Sequence, residues 1–538
     1  MTTTQANSLF ASCTAYLSKF TVTENGDLTN TSSKDALVDF FFNVIDRSTE
    51  NSVRQNLNSA WQSNAKDALK LVFYLLDVRE GKACTKPALF AFLWLYERHP
   101  KTLLANIVHL VKFGCVRDLP TLLMMIRCKH AKGIDYQDWQ IKKVRDVQRK
   151  FDHDNFYKKV RDATIPNAAK ELHEAIVKLF VDSLVQDKRQ MNKAKPVSLF
   201  SKWLPSQDSY LNRTTALFDD VAMQIYHMDH GDAQRRPLLH ARNHLRKAYI
   251  SPLRKYSQIV ERLMSEKKWN EVAYAKVPSV CMTRNATNFK NHDEERYLAY
   301  LKGAAADLAN AQWQAYVTRM QNSGVLNNAV AVCDVSGSMT GEPMNVAISL
   351  GLLVASLAQA PWKDHLITFS QDPQFHLISG SNLAEKLEDI KYMNWGANTN
   401  FDRVFDLILA TAKRNSLKEE EMPKTLFVFS DMQFDQADSN MTTTAYDRIK
   451  KKYANYGYEL PQIVFWNLRD SKGVPVTITD EGTALIGGFS GNLLKIFLEG
   501  AEFEKEWEMV KDTPKMTPID TMRKAIDHER FNVLRVVD

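Results

Sequence analysis

Residues 331–343 read AVCDVSGSMTGEP, and this stretch decides the fold of the C-terminal half of the chain. An apolar run, AVAVC at 329–333, ends directly at Asp334. The hydroxyl side chains of Ser336 and Ser338 follow around a glycine, and an amphipathic segment begins near Pro343. A buried strand that ends in a polar turn and continues into a helix is the repeating unit of a parallel α/β sheet.

The same alternation continues toward the C-terminus. Apolar, strand-like runs lie at 329–333, 365–369, 375–379, 425–429 and 462–466, and helical periodicity lies at 343–358, 401–412, 445–453 and 492–498. Strands that are apolar throughout belong to sheets that are covered on both faces. We therefore predict a doubly wound, Rossmann-like parallel sheet.

The N-terminal half has a different pattern, with apolar residues at a spacing of three to four and breaks at glycine or proline. This pattern predicts an all-helical domain, a HEAT-like solenoid or a ring. The pattern changes near 321–328. We predict four regions: an N-terminal extension (1–34), the helical domain (35–325), the α/β domain (326–502) and a C-terminal helix and strand (503–538).

Composition indicates a soluble protein. The chain has 538 residues with 44% hydrophobic and 25% charged residues, which is typical of globular domains. The six cysteines are scattered without a CxxC pair, and no apolar run reaches the length of a membrane span, about 20 residues. We expect a cytoplasmic location with no membrane contact. The net charge of +7 permits an anionic partner without requiring one.

Three loops carry oxygen ligands to one predicted edge of the sheet. Asp334, Ser336 and Ser338 follow the first strand, Thr399 precedes a helix, and Asp431 follows the strand at 425–429. Two carboxylates and three hydroxyls suit a hard cation such as Mg²⁺, with Mn²⁺ or Ca²⁺ as alternatives. Each loop taken alone is also compatible with a polar turn that binds no metal.

This order of residues resembles the metal-ion-dependent adhesion site (MIDAS) of von Willebrand factor A (vWA) domains. The resemblance implies that Asp334, Ser336, Ser338, Thr399 and Asp431 hold the metal, some of them through water. It also implies that an acidic side chain of a protein partner completes the coordination. Asn400 departs from the pattern, because many vWA domains have an acidic residue after the threonine.

One wider resemblance covers most of the chain, and a second concerns only the arrangement of domains. Segments such as TENGD (23–27), KWLPSQDS (202–209) and FVFSDMQFD (427–435) are similar to an uncharacterised family of plants, fungi and large viruses. That family joins a helical N-terminal region to a vWA-like domain. The arrangement also resembles Ro/TROVE ribonucleoprotein components, in which helical repeats bind RNA.

The helical half contains a basic stretch at 235–255 with almost no acidic residues. Lysine and arginine clusters of this kind bind phosphate backbones. The candidate nucleic-acid-binding residues are Arg235, Arg236, Arg242, Arg246, Lys247, Arg254 and Lys255. Histidines in the same region, including His230 and His244, are interpreted as polar residues of a helix and loop rather than as zinc ligands.

The sequence supports three hypotheses about function. The first is a non-enzymatic scaffold that binds a protein partner through a Mg²⁺-dependent site. The alternative is a Ro/TROVE-like RNA-binding protein. The third, a metal-dependent phosphohydrolase, is the weakest, because no nucleophile, general base or nucleotide-binding loop accompanies the carboxylates. The sequence leaves open the partner, the ion, the oligomeric state and whether the helical domain forms a ring or an open arc.

Overall fold

The computed structural model of the protein describes residues 20–131, 150–231, 238–257, 304–324, 326, 328–369, 373–391, 393, 401–434, 444–470, 473–498 and 515–538. The chain divides into two compact units. Unit 1 is drawn from Met1–Pro87 and Tyr274–Phe531, and unit 2 from Ala88–Ala273 and Asn532–Asp538. This division differs from the predicted boundary near 321–328, because the first 87 residues are grouped with the sheet.

Unit 1 begins with a hairpin and three helices. These are β1 (Phe20–Val22), β2 (Leu28–Asn30), α1 (Ala36–Asn43), α2 (Glu50–Ser63) and α3 (Ala65–Leu76). Helix α1 begins where it does because the Asp35 carboxylate accepts hydrogen bonds from the first free N–H groups of the helix. At its other end, the buried Lys82 ammonium donates to the carbonyl oxygens of Phe41 and Val44. Burial lowers the pKa of Lys82 to about 8.

Helices account for the regular structure described in unit 2. They are α4 (Thr85–Arg98), which begins in unit 1, α5 (Pro100–Asn106), α6 (Leu110–Phe113), α7 (Asp118–His130), α8 (Lys150–Arg161), α9 (Asn167–Asn192), α10 (Phe200–Trp203), α11 (Tyr210–Thr215), α12 (Leu217–His230), α13 (Leu238–Leu245) and α14 (Ser251–Tyr256), with a π-helical segment at Arg246–Ile250.

The long helix α9 organises unit 2. It packs against α5, α7, α10, α12 and α14, which precede and follow it in the chain. In a solenoid each repeat contacts only its neighbours. In the described part of unit 2 one helix therefore contacts several others, and the predicted HEAT-like solenoid or ring is not confirmed.

Helix α15 (Ala304–Gln321) leads into a six-stranded sheet in the C-terminal half. The strands are β3 (Ala329–Asp334), β4 (His365–Phe369), β5 (Phe375–Leu377), β6 (Thr425–Ser430), β7 (Gln462–Asn467) and β8 (Thr483–Gly487). Their order is β5-β4-β3-β6-β7-β8. Every neighbouring pair is parallel except β4 and β5. The predicted strands are confirmed, with the correction that β5 is an antiparallel edge strand and that β8 was not predicted.

The helices that follow β3 in the chain are α16 (Glu342–Leu357), α17 (Leu383–Lys391), α18 (Phe401–Asn415), α19 (Ala445–Tyr456) and α20 (Pro518–Ile526). The predicted helix at 492–498 is instead a 3₁₀ segment, Gly491–Ile496. The predicted C-terminal strand is wrong, since residues 532–538 have no regular structure. There the Asp538 carboxylate accepts hydrogen bonds from the N–H groups of Lys101 and Thr102 at the start of α5.

Within the described residues, no helix has both the length and the apolar character needed to cross a lipid bilayer.

Gly487 explains why α1 belongs with the sheet. A Cβ atom at this position would overlap the carbonyl oxygen of Phe42 and would lie 2.8 Å from Cγ2 of Ile45. The backbone at the end of α1 therefore rests directly on the end of β8. A side chain on β8 would separate the two elements.

We predict that Gly487→Ala destabilises unit 1 by about 1–3 kcal/mol, because the obstacle is backbone and cannot rotate away. Differential scanning calorimetry of the full chain measures the change. Gly337→Ala is the control, since a Cβ there meets nothing within 4 Å. Equal unfolding temperatures for the two variants would show that α1 does not pack on β8.

Candidate functional site

The two candidate aspartates lie at the carboxyl ends of adjacent central strands. Asp334 ends β3, and Asp431 directly follows β6. From β3 the chain proceeds to β4 on one side, whereas β6 lies on the other side, so the strand order reverses between β3 and β6. Ligands of open α/β sheets bind at such a switch point. The fold therefore brings Asp334 and Asp431 to the position where a binding site is expected.

Asp334 is fully buried and held by hydrogen bonds at both oxygens. Its Oδ1 accepts from the Ser336 N–H at 2.9 Å, and its Oδ2 accepts from the Ser430 hydroxyl at 2.6 Å. The Ser430 oxygen in turn accepts from the Met432 N–H at 3.0 Å. These contacts tie the loop after β3 to the loop after β6.

The two serines of the first loop converge. Their hydroxyl oxygens lie 3.0 Å apart, and a 3₁₀ turn at Gly337–Met339 bends the loop between them. Ser336 is buried, and Ser338 is exposed. The hydroxyl pair thus extends from the buried Asp334 toward solvent.

Asp431 is also fully buried. Its Oδ1 accepts from the Gln433 N–H at 3.1 Å. Its Oδ2 lies 3.3 Å from a guanidinium nitrogen of Arg469, which follows β7. The same nitrogen lies 3.3 Å from the Glu24 carboxylate, whose side chain is 63% exposed. Arg469 therefore holds one buried and one exposed carboxylate.

The electrostatics of the site favour a cation. Burial, and after it the nearby Asp431 carboxylate, raise the pKa of Asp334 to about 6. The hydrogen bonds from Ser430 and Ser336 oppose this rise. Two buried carboxylates that repel each other are stabilised when a positive ion lies between them.

The ligand types fit a hard divalent cation. Asp334, Asp431, Ser336 and Ser338 offer only oxygen atoms, as Mg²⁺ prefers. Across the described ranges, no group of three or more His, Cys, Asp or Glu side chains forms a metal cluster. The candidate site here combines two carboxylates with hydroxyl groups. Thr399 and Asn400 lie outside the described residues, so the position of the predicted loop that contains Thr399 is not described.

The N-terminal hairpin turn docks beside the site. The Thr23 hydroxyl donates to the Phe434 carbonyl at 2.8 Å, and the Asn25 amide donates to the Gln433 carbonyl at 2.6 Å. Sequence reasoning missed Glu24 and Arg469, because neither has a local signal that relates it to Asp431. Ser430 could have been found, since it directly precedes Asp431 at the end of a strand.

An ion-pair network fixes the base of this hairpin. The Arg448 guanidinium lies 3.0 Å from both Asp27 and Asp402, and the side chains of all three are largely buried. Burial raises the pKa of Asp27, and the Arg448 hydrogen bond and charge oppose the rise. The network joins the hairpin to α18 and α19.

The candidate nucleic-acid-binding residues of unit 2 differ in their contacts. Arg242 forms two 2.7 Å hydrogen bonds with Asp219, and Arg254 donates to the carbonyl oxygens of Ser201 and Leu204. The exposed candidates are Arg246, Lys247 and Lys255. Arg235 and Arg236 lie outside the described residues.

His230 and His244 lie together, a contact that the sequence did not predict. His230 Nε2 and His244 Nδ1 are 3.5 Å apart, and His244 Nε2 is 2.7 Å from Asp229. The Tyr249 hydroxyl donates to the same carboxylate. This cluster packs the end of α12 against α13.

Comparison with known proteins shows two family matches and one long viral similarity. The sequence profile of a domain of unknown function (DUF2828) matches residues 23–166 and 136–306. A second domain of unknown function (DUF7788) matches residues 328–526. An uncharacterised protein of Acanthamoeba polyphaga mimivirus is 29% identical over 537 residues, covering 90% of this chain and 86% of the viral protein. The predicted similarity to an uncharacterised family with members in large viruses is confirmed.

We predict that Arg448→Met lowers the free energy of unfolding of unit 1 by about 3–5 kcal/mol, because it leaves Asp27 and Asp402 buried without their counter-ion. Chemical denaturation followed by circular dichroism measures the loss. Lys452→Met is the control one turn further along α19, where the Lys452–Asp406 pair is more exposed. We expect this control to change stability by less than about 1 kcal/mol. Similar losses in both variants would mean that the network does not hold the hairpin.

Proposed function

The chain belongs to the family described as a domain of unknown function (DUF2828), and we propose that it is a non-enzymatic binding protein that uses a divalent cation to bind an acidic protein partner. The cation would be held at the switch point of the sheet in unit 1. Mg²⁺ is the preferred ion, and Mn²⁺ or Ca²⁺ are the alternatives. We also propose that unit 1 is a vWA-type domain with a MIDAS.

One observation carries the proposal. Asp334 and Asp431 are both fully buried at adjacent strand ends, and they are close enough for the charge of Asp431 to raise the pKa of Asp334. Burial of one ionised carboxylate is costly, and burial of two together costs more unless a positive charge is present. Arg469 contacts only Asp431 of the two in the described structure. Among the described residues, Asp334 has hydroxyl and amide donors but no cationic partner.

Each residue would have a defined part in the site. Asp334 and Asp431 would supply negative charge, and the converging hydroxyls of Ser336 and Ser338 would supply neutral oxygen ligands. Thr399 would add a third hydroxyl, as the resemblance to vWA domains implies. When bound, the ion would supply a charge that attracts an external carboxylate. The hydroxyl ligands are neutral, so only the two carboxylates offset the charge of a divalent ion. Arg469 offsets part of the Asp431 charge, and the site with its ion therefore keeps some positive charge.

The surroundings also support an acidic partner. Ser338 is exposed and opens the site to solvent. Arg469, next to Asp431, already attracts the exposed carboxylate of Glu24. A charged and partly exposed guanidinium beside the site favours the approach of acidic side chains.

We predict that Mg²⁺ stabilises the wild-type chain and that Asp334→Asn abolishes this effect. An ion at 100 times its Kd adds about 2.7 kcal/mol to the stability of the folded state. Without Mg²⁺ the variant should unfold at or above the wild-type temperature, because the substitution removes the repulsion from Asp431. Thermal unfolding with and without Mg²⁺ tests both statements. Asp406→Asn, an exposed carboxylate of the same unit, is the control and should keep the full Mg²⁺ effect.

The same variants test partner binding by affinity purification with and without a chelator. Proteins retained by the wild type and by Asp406→Asn, but lost with chelator or with Asp334→Asn, support the proposal. A partner set that is unchanged by both treatments contradicts it.

RNA binding by unit 2 is a second candidate function. The observation that favours it is the exposure of Arg246, Lys247 and Lys255 in a stretch, 238–257, that contains no acidic residue. Exposed cations without neighbouring carboxylates can bind phosphate groups in exchange for released counterions. Arg242 contributes less to such a surface, since Asp219 neutralises it.

We predict that replacing Arg246, Lys247 and Lys255 by Gln reduces the salt dependence of single-stranded RNA binding. The slope of log K against log salt is negative, and the loss of three phosphate contacts reduces its magnitude by about 2. Filter binding at several salt concentrations measures the slope. The control replaces Lys413, Lys450 and Lys451, exposed cations of unit 1, by Gln. Equal slopes for the two triple variants would place RNA binding elsewhere.

A further inference from the structure

Unit 2 contains a cavity of about 330 Å³ that neither proposed function uses. It lies where α10, α14, the residue before α7 and the loop before α11 meet. Small-molecule sites range from about 300 to 1,000 Å³. The cavity is therefore large enough for a small ligand and too small for a folded peptide or a nucleic-acid strand.

Three cationic side chains line this cavity: Arg117, Lys202 and Arg254. Among the described residues, the lining includes no aspartate or glutamate. In the described part of the chain, no carboxylate forms a salt bridge with Arg117 or Arg254. Arg242, in the same unit, has the opposite arrangement, since it is paired with Asp219.

Arg254 is fixed in position although no carboxylate among the described residues forms an ion pair with it. Its Nε donates to the Ser201 carbonyl at 2.7 Å, and its Nη2 donates to the Leu204 carbonyl at 3.2 Å. Within the described structure its Nη1 makes no hydrogen bond. Partial burial lowers the pKa of Arg254. A guanidinium that is anchored on one side and open on the other is preorganised to bind an anion.

Arg117 and Lys202 both lie against the indole ring of Trp203, at 5.8 Å and 4.8 Å from its centre. The ring keeps these two cations close together despite their repulsion. The Trp203 Nε1 is buried and has no hydrogen-bond partner in the described structure. Buried polar groups normally have a partner, so this N–H adds an unused donor to a residue of the lining.

The remaining polar groups of the lining are hydroxyls. Ser206 and Ser209 lie in the loop between α10 and α11. Hydroxyls beside guanidinium and ammonium groups are donors for oxyanions. The cavity therefore combines positive charge, neutral donors and an apolar wall.

We propose that this cavity binds the phosphate group of a small phosphomonoester. A dianionic phosphate can accept hydrogen bonds from both arginines at once, whereas a carboxylate has a single charge and fewer acceptor sites. Arginine also matches the geometry of phosphate oxygens. The apolar wall, which includes Leu204 and Leu211, would face the organic part of the ligand.

Isothermal titration calorimetry of the full chain with AMP, inorganic phosphate and adenosine tests this site. We expect AMP to bind and adenosine not to bind, because the phosphate group provides the recognition. Binding of inorganic phosphate as tightly as AMP would support the anion site and identify the free ion as sufficient. Binding of adenosine equal to that of AMP, or no binding of AMP and phosphate at millimolar concentration, would overturn the proposal.

Variants separate binding in this cavity from binding elsewhere. Arg117→Gln should weaken AMP binding at least about tenfold, because a charge-assisted contact is lost. Arg254→Gln should weaken it similarly, but this residue also holds two carbonyl groups, so Arg117→Gln is the decisive variant. Arg213→Gln is the control, since Arg213 lies over the ring of Tyr157 in the same unit and outside the cavity. AMP binding that is unchanged in Arg117→Gln would also overturn the proposal.

Discussion

The repulsion between Asp334 and Asp431 is the constraint around which unit 1 is organised. Both carboxylates are fully buried where the strand order reverses. The surrounding contacts reduce the cost of this arrangement. Ser336 and Ser430 donate to Asp334, Gln433 donates to Asp431, and Arg469 lies beside Asp431. The two buried carboxylates destabilise the folded state, and a cation between them would stabilise it. Groups that destabilise the fold are common at functional sites.

Unit 1 is assembled from chain segments that are distant in sequence. The hairpin turn at Thr23 and Asn25 contacts the loop after β6, about four hundred residues later in the chain. The DUF7788 match begins at residue 328, so it omits this turn and α1, whereas the DUF2828 match begins at residue 23. A fragment limited to 328–526 would lack Glu24, which shares Arg469 with Asp431, and would expose the end of β8 that α1 covers. The family boundaries follow the change in sequence pattern and not the compact units.

The charged residues of unit 2 show how one residue type can have several roles. Arg242 is neutralised by Asp219, Arg254 is held by backbone carbonyls, and Arg246 is exposed to solvent. All three belong to one basic stretch of the sequence. Only the partner of each guanidinium distinguishes a structural ion pair from a charge that remains available for a ligand.

The sequence by itself determined the sheet and the first part of the site. The apolar runs that end at Asp334 and Ser430 could only be buried strands, and a parallel sheet places their carboxyl ends at one edge. The serines near Asp334 could be assigned because they lie in the same loop. Periodicity is a local property, so it also located the helices α16, α18 and α19.

Only the tertiary structure decided which distant residues join the site and which helices cover the sheet. Arg469 reaches Asp431 because β7 lies beside β6, and Glu24 reaches Arg469 because the hairpin docks on the loop at Gln433. The antiparallel direction of β5 and the pairing of β8 with β7 depend on long-range hydrogen bonds. The central position of α9 likewise depends on which apolar faces meet. Contacts between residues hundreds of positions apart leave no periodic signal in the chain, and for this reason the sequence could indicate the candidate ligands but not their surroundings.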